Sequence, residues 1–236
     1  MARLPRLVIP NQPLHIMHRG NNRQDIFNTE DDMLRIKDDI EHGLEKSGCF
    51  LHAYVIMTNH LHLLITPGSK EQLAIFMQAM ANRYVRYYNA LHKRTGTLWE
   101  GRYKSCLVDS DSYLFSLYKY IEMNPVKANM VNNPSDYKWS SYSHNALADN
   151  DKLITEHDLY RALGINPDIR CERYKELFDR LDITQQEEQI SRATLAGEAY
   201  GSERFHNKIS SLVTRATRLG SHGGDRKSED YKNQAG

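Results

Sequence analysis

The chain has 236 residues, enough for one domain with an extension or for two small domains, and its 40% hydrophobic and 26% charged content is ordinary for a soluble protein. A formal net charge of +1 rules out a bulk electrostatic claim on nucleic acid. No apolar run approaches the roughly 20 residues of a membrane helix, and the first residues lack the apolar segment of a signal peptide.

Charge is unevenly distributed. Residues 1–24 carry Arg3, Arg6, Arg19 and Arg23 and no acid; residues 151–182 are rich in Asp and Glu; the chain turns basic again from Arg204. Cys49, Cys106 and Cys171 are widely spaced and odd in number, which points to reduced thiols in the cytoplasm rather than a disulfide frame or a zinc site.

In chain order, residues 14–19 read as a short strand closed by Gly20-Asn21-Asn22. Thr29 and Asp32 have the spacing of a helix-capping pair. Met33, Ile36, Ile40 and Leu44 follow at helical period, and Gly48 stops the helix. Residues 49–57 and 60–66 are apolar and β-branched, with Thr58-Asn59 as a tight turn between them, and so predict a hairpin. Ser69 with Gln72 forms a capping box, and the stripe from Leu73 through Tyr84 to Leu91 predicts a long helix ending near Thr95-Gly96. A strand over 103–108 completes β-α-β-β-α-β. This is an α+β, ferredoxin-like unit: a four-stranded antiparallel sheet with both helices on one face, leaving the other face open for a ligand.

Beyond it, Asp109-Ser-Asp-Ser112 offers N-caps for a helix with Leu114, Leu117, Tyr118 and Ile121 on one side, and Asn124-Pro125 ends that helix. Residues 126–149 are turn-rich. Helices are expected over 155–163, 173–181, 185–199 and 204–219. The organisation is a unit over 1–130, a turn-rich and helical extension over 131–220, and a tail over 221–236 with the composition of disorder.

The chemistry centres on His60-Leu61-His62. Alternation on a strand puts both imidazoles on one face and Leu61, Leu63 and Ile65 on the other. Such a pair is either two hydrogen-bonded strand histidines or two ligands of one metal ion. Tyr120 lies off the apolar stripe of the third helix, with Asn124 one turn later and Tyr113 two turns earlier on the same side. Tyr120 is either a packing tyrosine or a nucleophile, and Asn124 either a helix C-cap or a ligand. Two imidazoles, an amide oxygen and a phenol around one ion would suit phosphoryl transfer through a tyrosine ester. Mn²⁺ fits that ligand mix best.

Arg83, Arg86, Lys93, Arg94, Arg102 and Lys104 are interleaved with Tyr84, Tyr87, Tyr88, Trp99 and Tyr103, a pattern that suits an exposed single strand. Arg102, Lys104 and Arg19 are the better placed to touch phosphate. Arg83 and Arg86 lie on the long helix, where its tyrosines read as core.

His60-Leu61-His62 after Tyr54-Val-Ile-Met-Thr-Asn59 resembles the HUH motif of the single-tyrosine transposases of insertion sequences, the IS200-like family. Tyr120-Ile-Glu-Met-Asn-Pro-Val-Lys-Ala-Asn129 resembles the tyrosine helix of its REP-associated branch. His18-Arg-Gly-Asn-Asn-Arg-Gln-Asp-Ile-Phe27, Leu98-Trp-Glu-Gly-Arg102 and Trp139-Ser-Ser-Tyr142 resemble further landmarks in the same order, and Gly201-Ser-Glu-Arg-Phe205 its C-terminal segment. The resemblance implies a metal-dependent endonuclease and strand transferase acting on single-stranded or hairpin DNA, as monomer or homodimer. Tyr120 would form a 5′-phosphotyrosine link. His60 and His62 would be ligands of Mn²⁺ or Mg²⁺, and Asn124 would stand where relatives carry a third polar ligand. The mixed charge of Gly223-Gly-Asp-Arg-Lys-Ser-Glu-Asp230 departs from the strongly basic tail of many relatives. A non-cleaving DNA-binding regulator on the same fold is the alternative; an RNA-binding version would need aromatics on the open face, where this chain has histidines.

Overall fold

A computed structural model describes residues 5–219; the tail expected over 221–236 lies outside the described residues. The first half follows the expected order closely. Strand β1 (Leu14–Arg19) leads to helix α1 (Glu30–Ser47), then β2 (Phe50–Ile56), β3 (His60–Thr66), α2 (Lys70–Leu91) and β4 (Lys104–Val108). The Thr29 hydroxyl accepts from the Asp32 amide while the Asp32 carboxylate accepts from the Thr29 amide, so the capping pair is reciprocal. Gly48 ends α1 at φ 69°, a left-handed conformation that costs glycine little. At α2 the box is displaced by one residue: Ser69 accepts from the Gln72 amide, but Gln72 reaches back to the Gly68 amide. Helix α2 stops at Leu91, short of the expected Thr95-Gly96, because Lys93 turns the chain at φ 50°.

The strand order is β2-β3-β1-β4-β5. The first four strands pair antiparallel in the ferredoxin-like order. The fifth, β5 (Ala199–Tyr200), lies beyond the helices α3 (Ser110–Glu122), α4 (Asn124–Lys127), α5 (Tyr142–Leu147), α6 (Asp158–Arg161), α7 (Pro167–Arg180) and α8 (Thr184–Ala196) and joins β4 in parallel. Two residues are too few to show alternation, which is why the sequence pattern runs the expected 185–199 helix into the first of them. The final helix α9 (Glu203–Ser210) ends before the expected 219: Arg215 donates to the carbonyls of Pro5 and Gly197, and Ala199 donates to Thr217, fixing that segment as an irregular strap.

The sheet has two covered faces. Leu61, Leu63 and Ile65 of β3, with Leu14 and Ile16 of β1, pack against α1 and α2. The opposite face, expected to be open, is covered by α3 and α8. The physical reason lies in its own residues: Ala53, Val55, Leu64, Cys106 and Val108 form an apolar surface that Leu117, Tyr118, Ile121, Ile190 and Ala193 bury.

The landmark segments support this arrangement. His18 stacks on Trp99 with ring centroids 4.1 Å apart. Trp139-Ser140-Ser141 runs beside β2, with Ile56 donating to Trp139 and Ser141 to Tyr54. The Glu122 carboxylate, fully buried at the end of α3, accepts from the Ser141 hydroxyl at 2.6 Å, the Asn145 amide at 2.7 Å and the Tyr174 hydroxyl at 2.6 Å. Burial pushes its carboxyl up to about 7, against the pull of those donors. Cys49, Cys106 and Cys171 are buried free thiols. Among the described residues no helix is long and apolar enough to cross a membrane.

Candidate active site

Cross-strand register builds the site. On the α3 and α8 face, Arg19 stands opposite His60, Met17 opposite His62, and His15 opposite Leu64, while Lys104 of β4 stands opposite Met17. His60 and His62 share this face, with ring centroids 5.0 Å apart and planes at 80°. Tyr120 reaches the same place from α3: its ring lies 5.8 Å from that of His62 and 5.5 Å from that of His15, edge-on to both.

Each histidine of the pair has one nitrogen engaged. His60 Nδ1 lies 2.6 Å from Asn59 Oδ1, and the Asn59 amide nitrogen donates to the Arg23 carbonyl at 3.0 Å. The Asn59 oxygen is therefore the acceptor, His60 carries its proton on Nδ1, and its Nε2 lone pair is left over. His62 Nδ1 is hydrogen-bonded to His15 Nε2 at 2.8 Å, which leaves His62 Nε2. Burial lowers the His60 pKa to about 4, with the Arg19 charge adding to the shift, and drives His62 well below the ordinary value. At neutral pH both rings are uncharged, the form that binds metals.

These residues fit a divalent cation as an incomplete shell. Two bare Nε2 atoms are on hand, yet no group of three or more His, Cys, Asp or Glu side chains able to hold a metal occurs among the described residues. Asn124 donates from its amide nitrogen to the carbonyls of Tyr120 at 2.7 Å and Ile121 at 3.2 Å, so it does cap the end of α3. Its side-chain oxygen remains as a donor atom for an ion.

Tyr120 is not a ready phenolate. Burial raises its pKa, and the neighbouring Ser191 hydroxyl opposes the shift. Lys127 Nζ stands 5.4 Å from the ring centre and is paired with Glu187 of α8. Tyr113 turns elsewhere, packing at a tilt of 52° against Tyr200 with ring centroids 4.8 Å apart.

The basic residues divide. Arg19 is next to His60 and donates to Glu100 at 2.6 Å. Arg102 and Lys104 are exposed, and they line an open groove with Arg6, Tyr103 and Arg215. Arg83 and Arg86 are on α2, in the layer across the sheet. Arg83 is held there by Asp39 at 2.7 Å and Asp38 at 3.3 Å, and neither residue is brought to the histidine pair.

Sequence reasoning passed over His15, Thr194, Ser191, Lys127 and Glu187. His15 had a usable signal, since alternation along β1 places it with Met17 and Arg19 once that strand is paired with β3. The α8 residues carried none.

A ferredoxin-like sheet with a His-x-His strand, faced by a tyrosine on the helix after β4, defines the class. Residues 9–124 match the family model described as Transposase IS200 like, and this stretch of the chain belongs to that family. No curated protein sequence matches the chain. A solved structure of a REP-associated tyrosine transposase bound to a REP hairpin is similar in fold, with a TM-score of 0.54 at 17% identity over 67% of this chain and 96% of that one. A crystal structure from Deinococcus radiodurans R1, described as a candidate transposase, matches 50% of this chain and 95% of its own at 18% identity, with a TM-score of 0.36.

Proposed function

We propose that this chain is a metal-dependent, single-stranded DNA endonuclease and strand transferase of the REP-associated kind, acting at hairpin DNA. The observation that carries the reading is the convergence of the Tyr120 ring, 5.8 Å from His62, on a strand pair whose Nε2 atoms are free. The likeness to a REP-hairpin-bound transposase supports it through fold.

The ion would be held by Nε2 of His60 and His62 and the Asn124 side-chain oxygen, with phosphate or water completing the shell; Mn²⁺ suits this set and Mg²⁺ is compatible. Bound there, it would withdraw charge from the scissile phosphate. Tyr120 Oη attacks phosphorus, and the bond from phosphorus to the upstream 3′ oxygen breaks. The phenol proton is released and the departing 3′ oxygen gains one, so the products are a free 3′-hydroxyl and a 5′-phosphotyrosine ester. Attack by a second strand's 3′-hydroxyl reverses the step, rejoins DNA and returns Tyr120. The Ser191 hydroxyl favours the phenolate, whereas the Lys127 charge near the ring is paired with Glu187, whose carboxylate opposes it. Arg19, Arg102 and Lys104 hold phosphates along the approach. Residues 1–130 are the catalytic unit and 131–219 its cover. Tyr120 and both histidines would come from one chain, whether it acts as monomer or homodimer.

A 3′-labelled hairpin oligonucleotide should become covalently attached to the protein with Mn²⁺ or Mg²⁺ and not with chelator. Tyr120→Phe should reduce attachment by roughly 10³-fold or more. Undiminished attachment by that variant removes Tyr120 from the mechanism. The second reading, a non-cleaving regulator, draws on the use of Asn124 as a helix cap and the raised Tyr120 pKa. It predicts hairpin binding indifferent to metal and no adduct.

A further inference from the structure

Behind the histidine pair runs a line of hydrogen bonds whose direction is dictated by its far end. His62 Nδ1 is 2.8 Å from His15 Nε2, His15 Nδ1 is 2.8 Å from Thr194 Oγ1, and Thr194 Oγ1 is 2.7 Å from the Ile190 carbonyl oxygen. A carbonyl only accepts, so the single hydroxyl proton of Thr194 points to Ile190. The Thr194 oxygen must then accept from His15, whose proton sits on Nδ1. The Cys106 thiol, 3.3 Å away, can serve the remaining lone pair. His15 is 0% exposed and both its nitrogens are taken by His62 and Thr194, so an imidazolium there would be buried without a carboxylate partner. The ring is neutral. Its bare Nε2 accepts the Nδ1 proton of His62.

We infer that His15 and Thr194 are positioning residues: they lock His62 in the Nδ1–H tautomer and keep its Nε2 lone pair turned out for a divalent cation. The purpose rests on the proposed metal role of His62, whereas the tautomer can be read with no metal present. Thr194 lies on α8, beyond residues 9–124, so the relay gives the C-terminal extension a part in preparing the site. A partner on the second nitrogen fixes ring orientation and raises ligand basicity.

The test removes the anchor of the line. Thr194→Val preserves shape and deletes the hydroxyl. His15 then lacks its Nδ1 acceptor, moves its proton to Nε2 and donates to His62 Nδ1, forcing the His62 proton onto Nε2. Long-range proton–nitrogen spectra of the metal-free full chain, labelled with ¹⁵N-histidine, report both tautomers. We expect Nδ1–H at His62 in the wild type and in Thr194→Ser, and Nε2–H in Thr194→Val. Mn²⁺ affinity by calorimetry should fall about 10- to 100-fold in Thr194→Val and return in Thr194→Ser. A wild-type His62 protonated on Nε2 overturns the relay, and this spectrum decides even if Thr194→Val does not fold. An unchanged tautomer and Mn²⁺ affinity in Thr194→Val overturn it equally. Failure of the Tyr120 adduct would strike the endonuclease reading and leave the spectra untouched.

Discussion

The two faces of the sheet are built from the same strands and do different things. Towards α1 and α2, β3 presents Leu61, Leu63 and Ile65, and the layer is held by apolar burial and by capped helices. Towards α3 and α8, the same strand presents His60, His62 and Leu64, and the apolar contacts surround a line of polar groups. Buried polar groups mostly need a partner, and the few without one among the described residues include His18 Nδ1 and Tyr118 Oη. The first face needs only to be filled. The second is also wired, and its wiring leaves the Nε2 atoms of His60 and His62 unspent.

The largest expected effect that would break this contrast falls on the wired face. Replacing His60 and His62 together by Ala should reduce metal-dependent cleavage of hairpin DNA by roughly 10³-fold or more. Cleavage at the wild-type rate would reduce the pair to two packed histidines. On the filled face, Leu63→Ala should cost about 2–5 kcal/mol in denaturant unfolding while leaving the Mn²⁺ affinity of the folded protein unchanged. A marked loss of affinity would show that the two faces are not separable.

Acid should sharpen the difference further. Burial lowers the pKa of His15 to about 3 and that of His60 to about 4, both below the 6.5 of a free ring. The unfolded chain therefore takes up protons first, and the stability these rings contribute is present above pH 6.5 and lost as pH falls towards 4. Metal-free protein should lose roughly 1.4 kcal/mol per pH unit for each ring in that window. Glu122 has the opposite sign: its carboxyl is raised from 4.5 to about 7, so its contribution is lost as pH rises between those values. Leu63→Ala should lower the whole pH curve without altering its slope.

The smallest effect concerns the basic residues. Lys104→Ala should weaken single-strand binding several-fold and flatten its dependence on salt. Arg83→Ala should leave binding as it is and cost about 1 kcal/mol of stability, since Arg35 at 3.0 Å still partners Asp39. Equal losses of DNA affinity in both variants would place α2 in the DNA path after all.

Local signals explain why the first half of the chain was legible. The Thr29 and Asp32 spacing, Gly48, and the alternation of residues 60–65 each act over a few residues, and each appears in the fold as read. The covering of the second face was not legible, because α8 returns from far along the chain and the apolar residues that demand a cover are shared among three strands. The sequence allows Asn124 as a cap or a ligand; the cap is visible in its bonds to Tyr120 and Ile121. Arg83 was misleading as a candidate for phosphate because its partner, Asp39, lies 44 positions earlier on another helix. The His15 to Thr194 contact spans 179 positions, and no local pattern announces such a pairing.

The carboxylate of Glu122 sits two residues beyond Tyr120 and is met by three donors from two other stretches of the same chain. A helix moored in this way cannot be lent to a neighbouring copy without abandoning all of them and baring a buried acid. Within one chain the Tyr120 ring already lies beside those of His62 and His15.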